Sequence, residues 1–390
     1  MQAIITVGLG YGDEGKGCCV DFLARRHNAK LVIRYSGGAQ CGHNVVGPSG
    51  KKHAFAQWGA GTFAGAGTYL GREVIISVSA MHREAEYLKA QGVERPFRHL
   101  VVHPDCLVAT PLHVELNRFR EEQRNARHGS CGMGIGATRE YWLRYGFDAV
   151  FARDLGGSVQ QLAEKLRLMQ QRLSLECPLL RNISPVVLAR ELTDQGVVLW
   201  RGADPWDHFE IGDEDTVIFE GAQGILLDEH FGEQPHTTWS DVSPRHALRM
   251  CQEYVGYSLT ASVIGVTRSY ATRHGAGPLR DEWTGESRLI DDGNPFNEWQ
   301  QTFRTAPLET LGRPVEYVRE VCEAEGQGLY TPDRGTGADL FCGLAVSHLD
   351  QIPLSAAFTA AGVPPIVIAG RGPKAEDRRV VKEFLPVLQE

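Results

Sequence analysis

The stretch Val7-Gly8-Leu9-Gly10-Tyr11-Gly12-Asp13-Glu14-Gly15-Lys16-Gly17 decides the fold, because it is nearly a nucleotide-phosphate loop and departs from one at a single position. From Gly10 it reads G-x-x-x-x-G-K, but Gly17 stands where such a loop has the Ser or Thr that holds Mg²⁺. Asp13 is the obvious substitute metal ligand, and a carboxylate among phosphates also offers a general base to a second substrate. The apolar run at 3–7 reads as a buried strand, and the residues after Gly17 can open a helix whose N-terminus favours anions. A glycine-rich surface turn is the bland reading of the same residues.

Working outward, short apolar runs at 30–33, 74–78, 100–102, 217–219, 262–266, 344–346 and 366–368 read as further buried strands. Helical patterns lie between them at 81–90, 112–122, 159–173 and 315–323. This alternation predicts an α/β fold with a largely parallel central sheet flanked by helices, and ligands at the carboxyl ends of its strands. The expected organisation is one domain over 1–390, with helical subregions near 111–195 and an inserted loop near 326–337, rich in Gly, Pro and Asp.

Composition sets limits. The 390 residues are 42% hydrophobic, enough for a large core. The 40 basic and 48 acidic residues give a net charge of −8, which argues against nucleic acid or an anionic membrane as partner. Nothing reads as a signal peptide, and no apolar run approaches the roughly 20 residues that span a bilayer. The nine cysteines are scattered, with no C-x-x-C pattern, as expected of a reduced, cytoplasmic protein.

Several constellations carry chemistry. Ser36-Gly37-Gly38-Ala39-Gln40-Cys41-Gly42-His43-Asn44 follows the second strand and ends on a histidine able to donate to an oxygen gaining charge, although a lone histidine after a loop is often structural. The run from Gly129 to Gly136, with Cys131 inside it and Arg139 and Arg144 after it, suits a phosphomonoester, as do many glycine-rich loops on spacing alone. Gln223, in Glu220-Gly221-Ala222-Gln223-Gly224, is placed to read a base amide, or is simply solvated. Thr272-Arg273-His274-Gly275-Ala276-Gly277-Pro278 sets small residues and a basic pair where a phosphate or base would lie. Asp350 can accept both N1–H and the exocyclic amine of guanine, or cap a helix. Gly370 to Pro373 follows the last strand.

Taken in order along the chain, Gly12 to Gly17, Gly42-His43, His103-Pro104, Gly132 to Gly136, Glu220 to Gly224, Thr272 to Pro278, His348-Leu349-Asp350 and Gly372-Pro373 resemble the adenylosuccinate synthetase family. The resemblance implies a GTP-dependent carbon–nitrogen ligase acting on a 6-oxopurine nucleotide such as IMP, with Mg²⁺ and small-molecule substrates only, as a homodimer. It implies that Asp13 takes the N1 proton and binds Mg²⁺, that the Gly42 carbonyl also meets the metal, that His43 stabilises the transferring phosphoryl group, and that Lys16 offsets phosphate charge. It places Gly12, Glu14, Gly15, Gly17, Asn44, His348, Asp350, Gly370, Gly372 and Pro373 at the triphosphate. Gln40, Cys131, Arg139, Arg144, Gln223, Thr238 and Arg273 fall at the monophosphate substrate, and Trp299, Gln300, Gln301 and Arg304 at the amine donor.

The departures from the family pattern are specific. Its amino-acid loop carries a Thr-Thr-Gly-Arg run and further arginines, whereas residues 297–304 here keep only Arg304. Two carboxylates call for more positive charge, so the expectation is a donor less anionic than aspartate or a clamp completed by an arginine from elsewhere, such as Arg273. Cys131 replaces a threonine, Gln40 an asparagine, and His348 the lysine over the base, which leaves ATP open beside GTP. The alternatives are a synthetase acting on GMP or dGMP, whose phage examples are expected to replace the loop aspartate, and a nucleotide-binding relative without catalysis, for which Asp13, Lys16 and His43 together would be superfluous.

Overall fold

A computed structural model describes residues 1–47, 50–124, 130–201, 204–253, 259–283, 289, 303–329 and 340–382. In chain order the first half holds β1 (Gln2–Gly8), α1 (Lys16–Arg26), β2 (Leu31–Arg34), β3 (His43–Val46), β4 (Lys52–Phe55), β5 (Gly67–Leu70), β6 (Ile75–Ile76), α2 (Val78–Ala90), β7 (Leu100–Val102), β8 (Leu107–Val108), α3 (Pro111–Gln123), α4 (Ile135–Tyr145), α5 (Val159–Leu173) and α6 (Pro185–Gly196). The second half holds β9 (Trp200–Arg201), α7 (Pro205–His208), β10 (Thr216–Glu220), α8 (Arg245–Glu253), β11 (Thr260–Arg268), β12 (Ala271–His274), β13 (Phe303–Ala306), α9 (Gly312–Glu325), β14 (Phe341–Ser347), β15 (Ile366–Gly370) and β16 (Arg378–Val380).

Ten strands form one sheet in the order β16-β15-β14-β11-β1-β10-β2-β5-β7-β9. Neighbours run parallel throughout except β15 with β16, so the fold is the largely parallel α/β architecture that the alternating pattern predicts. Because both faces are covered, the central strands are apolar almost without interruption, as β1 and β10 show. Ile4, Val32 and Ile218 pack toward α1, α2 and the helices of 111–196, while Ile5, Ile33 and Phe219 pack toward α8 and α9.

One strand differs from expectation. Of 74–78 only Ile75 and Ile76 are extended, paired with β8 in a separate two-stranded sheet, and Val78 already opens α2. The Gln57 amide takes over the ladder there, accepting from Ser77 N at 2.8 Å and donating to Ser77 O at 3.0 Å. Of the glycine-rich stretch 326–337, residues 330–337 lie outside the described residues. Among the described residues no helix is long and apolar enough to cross a membrane.

The sheet order explains where chemistry can gather. Strand β1 lies between β10 and β11, with Thr6 level with Glu220 and Gly8 level with Val266. Arg268 at the end of β11 is level with Ser347 at the end of β14. The carboxyl edge therefore presents Glu220, the loop after β1, Arg268, Ser347 and then Gly370 side by side.

Candidate active site

The loop between β1 and α1 is held from within. Glu14 is 3% exposed and turns inward, its carboxylate accepting from Gly10 N at 3.0 Å and Gly12 N at 2.8 Å and meeting Lys16 Nζ at 2.5 Å. Both residues were expected at the triphosphate. Here Glu14 braces the loop, and Lys16 carries its charge to the loop's inner side. Gly17 has a steric cause: a Cβ there would lie 2.9 Å from Asn44 O and from His43 C and Cβ, because β3 crosses the start of α1. A hydroxyl side chain is thus excluded by β3, the strand that supplies His43.

The residues expected at the triphosphate from the C-terminal strands converge on the same loop. Cys18 Sγ donates to Asn44 O and Pro373 O, each at 3.2 Å. Ser347 Oγ donates to Glu14 O at 3.0 Å, and Leu349 N to Gly370 O at 3.1 Å. His348 sits in the left-handed region with φ 60°, its ring edge-on to Tyr270 at 5.6 Å, and Asp350 is exposed on the adjoining turn. Gly372 packs so tightly that a Cβ would lie 2.4 Å from Asp377 Oδ2. The structure thus gathers Gly15, Gly17, Asn44, His348, Gly370 and Pro373 around one edge.

Two histidine–carboxylate pairs frame the loop. His43 Nδ1 lies 2.5 Å from Glu220 Oε1, and Glu220, wholly buried, also accepts from Ala60 N at 3.0 Å. Burial holds the His43 imidazole below its ordinary range; Glu220 opposes this, while Arg34 and Lys16 add to it. The carboxylate fixes the proton on Nδ1 and leaves Nε2 for the site. The second pair joins Asp13 Oδ2 to His274 Nδ1 at 2.7 Å, and the Asp13 carbonyl accepts from Arg268 Nε at 2.5 Å. Burial alone would raise the Asp13 carboxyl, but the His274 hydrogen bond and the charges of His274, Arg268 and Lys16 prevail and lower it.

Of the residues expected at the monophosphate substrate, Gln223 is also left-handed at φ 55° and donates from Nε2 to Cys41 Sγ at 3.2 Å. Gln40 Oε1 is buried without a partner, an acceptor that a bound nucleotide could satisfy. Burial pushes the Cys131 thiol up to about 12, so it is a neutral contact. The adjoining turn already uses part of its donor set, since Gly132 N donates to Ser130 Oγ at 3.2 Å and Gly134 N to Asn117 Oδ1 at 3.1 Å. Thr238 N donates to Leu227 O at 2.7 Å, in a segment braced by the buried Asp228, which accepts from His230, Phe231 and Val242 N.

The arginines are more committed than their sequence positions indicate. Arg139 lies between Glu73 at 3.7 Å and Glu229 at 3.4 Å, whereas Arg144 is exposed and pairs with Glu140 at 3.2 Å. Arg273, 1% exposed, donates to the carbonyls of Ala276, Pro278 and His236 at 3.0–3.1 Å and lies over the Tyr11 ring at 4.3 Å. Arg304, opposite Arg273 in the β12–β13 hairpin, is closed on Glu282 at 2.6–3.0 Å and on the carbonyls of Gly275 and Gly277 at 3.0 and 2.9 Å. Trp299, Gln300 and Gln301 lie outside the described residues.

Sequence reasoning missed the parts played by Glu220, His274, Arg268 and Ser347. Glu220 left a signal: an acid ending the apolar run Val217-Ile218-Phe219 must find a partner if buried. The donor set also bears on a metal. Among the described residues no cluster of three or more His, Cys, Asp or Glu side chains could hold an ion. Mg²⁺ commonly takes one or two carboxylates plus phosphate oxygens and water, and the loop offers one such carboxylate in Asp13.

A parallel α/β sheet whose carboxyl edge carries a phosphate loop, an ionised aspartate and a carboxylate-backed histidine defines an enzyme that transfers phosphoryl groups from nucleotides. The adenylosuccinate synthetase family model matches residues 5–305. Adenylosuccinate synthetases of Francisella tularensis, subspecies tularensis and novicida, are 33% identical over 307 residues, covering 76% of this chain and 68% of theirs. Among solved structures, the fully ligated adenylosuccinate synthetase of Plasmodium falciparum superposes with a TM-score of 0.74 at 17% identity, over 97% of this chain and 99% of that one. The succinoaminodeoxyadenylate synthetase of cyanophage S-2L, bound to dGMP and dATP, gives 0.62 at 17% identity, over 98% and 96%. The chain belongs to the adenylosuccinate synthetase family, whose members are ligases that form carbon–nitrogen bonds. The family generally uses GTP and Mg²⁺.

Proposed function

We propose that this protein is a GTP-dependent ligase that joins an amine to C6 of a 6-oxopurine mononucleotide, with IMP as acceptor, in the manner of adenylosuccinate synthesis. The observation that carries the reading is that the loop bearing Asp13 runs into α1, against whose first turn, at Gly17, β3 lays the Glu220-backed His43. Asp13 accepts the N1 proton, and O6 becomes nucleophilic toward the γ-phosphorus of GTP. His43, oriented by Glu220, takes a proton from solvent at Nε2 and, as the imidazolium facing that buried carboxylate, donates from Nε2 as charge shifts onto the transferring group. The amine then attacks C6 and phosphate leaves with O6. Mg²⁺, held by Asp13 and the Gly42 carbonyl, would neutralise phosphate charge when bound.

Asp350 and the Gly370–Pro373 turn are assigned to the guanine, Gln40, Cys131, Gln223 and Thr238 to the mononucleotide. We take the 390 residues as one domain, working as a cytoplasmic homodimer. Aspartate is the donor by family; a donor with fewer carboxylates is favoured by the closure of Arg304 on Glu282 and of Arg273 on backbone carbonyls. The test is mass spectrometry of products from purified protein, GTP, Mg²⁺, IMP and single amino acids. A new mass equal to IMP plus amine minus water is expected with at least one donor. No product with any donor, at substrate levels that saturate GTP binding, would overturn the ligase reading.

A further inference from the structure

Arg273 is a buried cation that the proposed reaction leaves without a task. Burying a guanidinium is costly unless its donors are met. Here Nε donates to Ala276 O at 3.0 Å, Nη1 to Pro278 O at 3.1 Å and Nη2 to His236 O at 3.1 Å. The guanidinium carbon lies 4.3 Å from the centre of the Tyr11 ring, within reach of a cation–π contact. The turn after β12 closes on it so tightly that a Cβ at Gly277 would lie 2.2 Å from Nη2, and its φ of 112° suits glycine. An anionic ligand would have to displace these carbonyls to reach the cation.

Three separate segments therefore meet on one group. Tyr11 stands in the phosphate loop two residues before Asp13, and His236 stands two residues before Thr238. The third segment is the turn that follows β12. Thr272, the preceding residue of β12, donates from Oγ1 to Gly12 O at 3.2 Å, so consecutive residues of one strand hold consecutive residues of the loop. A planar fork of donors lying on an aromatic ring can join all three; a lysine, as a point charge, cannot.

We infer that Arg273 is a positioning residue: it ties the loop that carries Asp13 to the segment that carries Thr238, and so sets the carboxylate against N1 of the mononucleotide. This rests on the ligase reading and on the assignment of Thr238 to the mononucleotide. Arg273 itself touches neither substrate. Its effect falls on the geometry of one step. In that step the O6–phosphorus bond forms, the bond from the γ-phosphorus to the βγ-bridging oxygen breaks with its electron pair going to GDP, and the N1 proton passes to Asp13. Misplacement by about 1 Å at such a step can cost about 100-fold in rate.

The test uses the full-length protein with GTP, Mg²⁺ and IMP and no amine. Positional isotope exchange of the βγ-bridging oxygen of GTP reads the phosphoryl step, and its dependence on each nucleotide gives a half-saturating concentration. Tyr11→Leu removes the ring beneath the cation at a half-buried loop position, and Arg273→Lys keeps the charge without the fork. Each should lower the maximal exchange rate by at least about tenfold and leave both half-saturating concentrations within about threefold. Because both act through one contact, the double variant should match the slower single variant within about threefold. A rise of about tenfold or more in half-saturating IMP, with the maximal rate kept, would make Arg273 a binding residue and overturn the inference. Losses that multiply in the double variant, or unchanged exchange in folded Tyr11→Leu protein, would overturn it as well. If Arg273→Lys does not fold, Tyr11→Leu decides by the same split between rate and half-saturation. Absence of exchange in the unaltered protein would defeat the ligase reading and this inference with it.

Discussion

The two histidine–carboxylate pairs use the same chemistry with the roles exchanged. In His43–Glu220 the carboxylate is wholly buried and the histidine 7% exposed, so in the proposed reaction the acid is the brace and the imidazole the working group. In Asp13–His274 the carboxylate is 28% exposed and the histidine 14%, so in the proposed reaction the acid works and the imidazole braces it. Burial decides which member of each pair can reach a substrate. The sheet sets that burial, because Glu220 ends a central strand whereas Asp13 rides on a loop above its neighbour.

The same chemical change made in each pair should therefore have unequal effects. Asp13→Asn removes the proton acceptor itself and should cost about 10²–10⁴-fold in kcat while GTP binding, followed by calorimetry, persists. Near-normal turnover would break the assignment of Asp13 as the working group. Glu220→Gln removes only the charge that orients His43, and should cost roughly 10–100-fold in kcat with little change in KM for either nucleotide. A loss as large as that of Asp13→Asn would mean the acid takes part directly.

Away from both pairs the effect should move from rate to affinity. Asp350→Ala would leave the guanine N–H groups without an acceptor, so GTP binding should weaken roughly tenfold while ATP binding hardly changes. Equal affinity for GTP and ATP in the unaltered protein would refute the assignment, and His348 on the same turn would be the first residue to exchange.

A third histidine provides the contrast of burial without a carboxylate. His113 is wholly buried at the start of α3, accepts from Thr110 N at 3.2 Å, and has been pushed down to about 3 by burial. Its folded pKa lies below the unfolded value of 6.5, so its stabilising contribution is complete above pH 6.5 and is lost as pH falls toward 3, by at most about 1.4 kcal/mol per pH unit. Thermal melts of His113→Asn between pH 7 and 4 should show a shallower decline than the unaltered protein. Parallel declines would show that other groups dominate acid unfolding.

How much was legible in the sequence follows the range of each interaction. The glycine-rich loop, seven of the ten strands of the main sheet and α5, which spans Val159–Leu173 as the periodicity predicts, are written in local pattern. Gly17 could be seen to break the pattern but not why, since the obstacle is β3 arriving from residues 43–46. Glu14 looked like a phosphate contact because nothing local shows that its carboxylate folds back on Gly10 and Gly12. The partners of His43 and Asp13 lie 177 and 261 residues away, so only the sheet order brings them together. The commitment of Arg273 to three carbonyls was equally hidden, because a basic residue in a glycine-rich turn reads the same whether it faces a phosphate or its own backbone.

The central claim, that O6 of the nucleotide is phosphorylated and then displaced by an amine, is tested most directly with IMP labelled with ¹⁸O at position 6. Incubation with GTP, Mg²⁺ and a productive amine, followed by mass spectrometry of inorganic phosphate, should find one ¹⁸O in each phosphate released and none left in the nucleotide product. Unlabelled phosphate, formed at the rate of turnover, would mean that GTP is hydrolysed by water and would contradict the account.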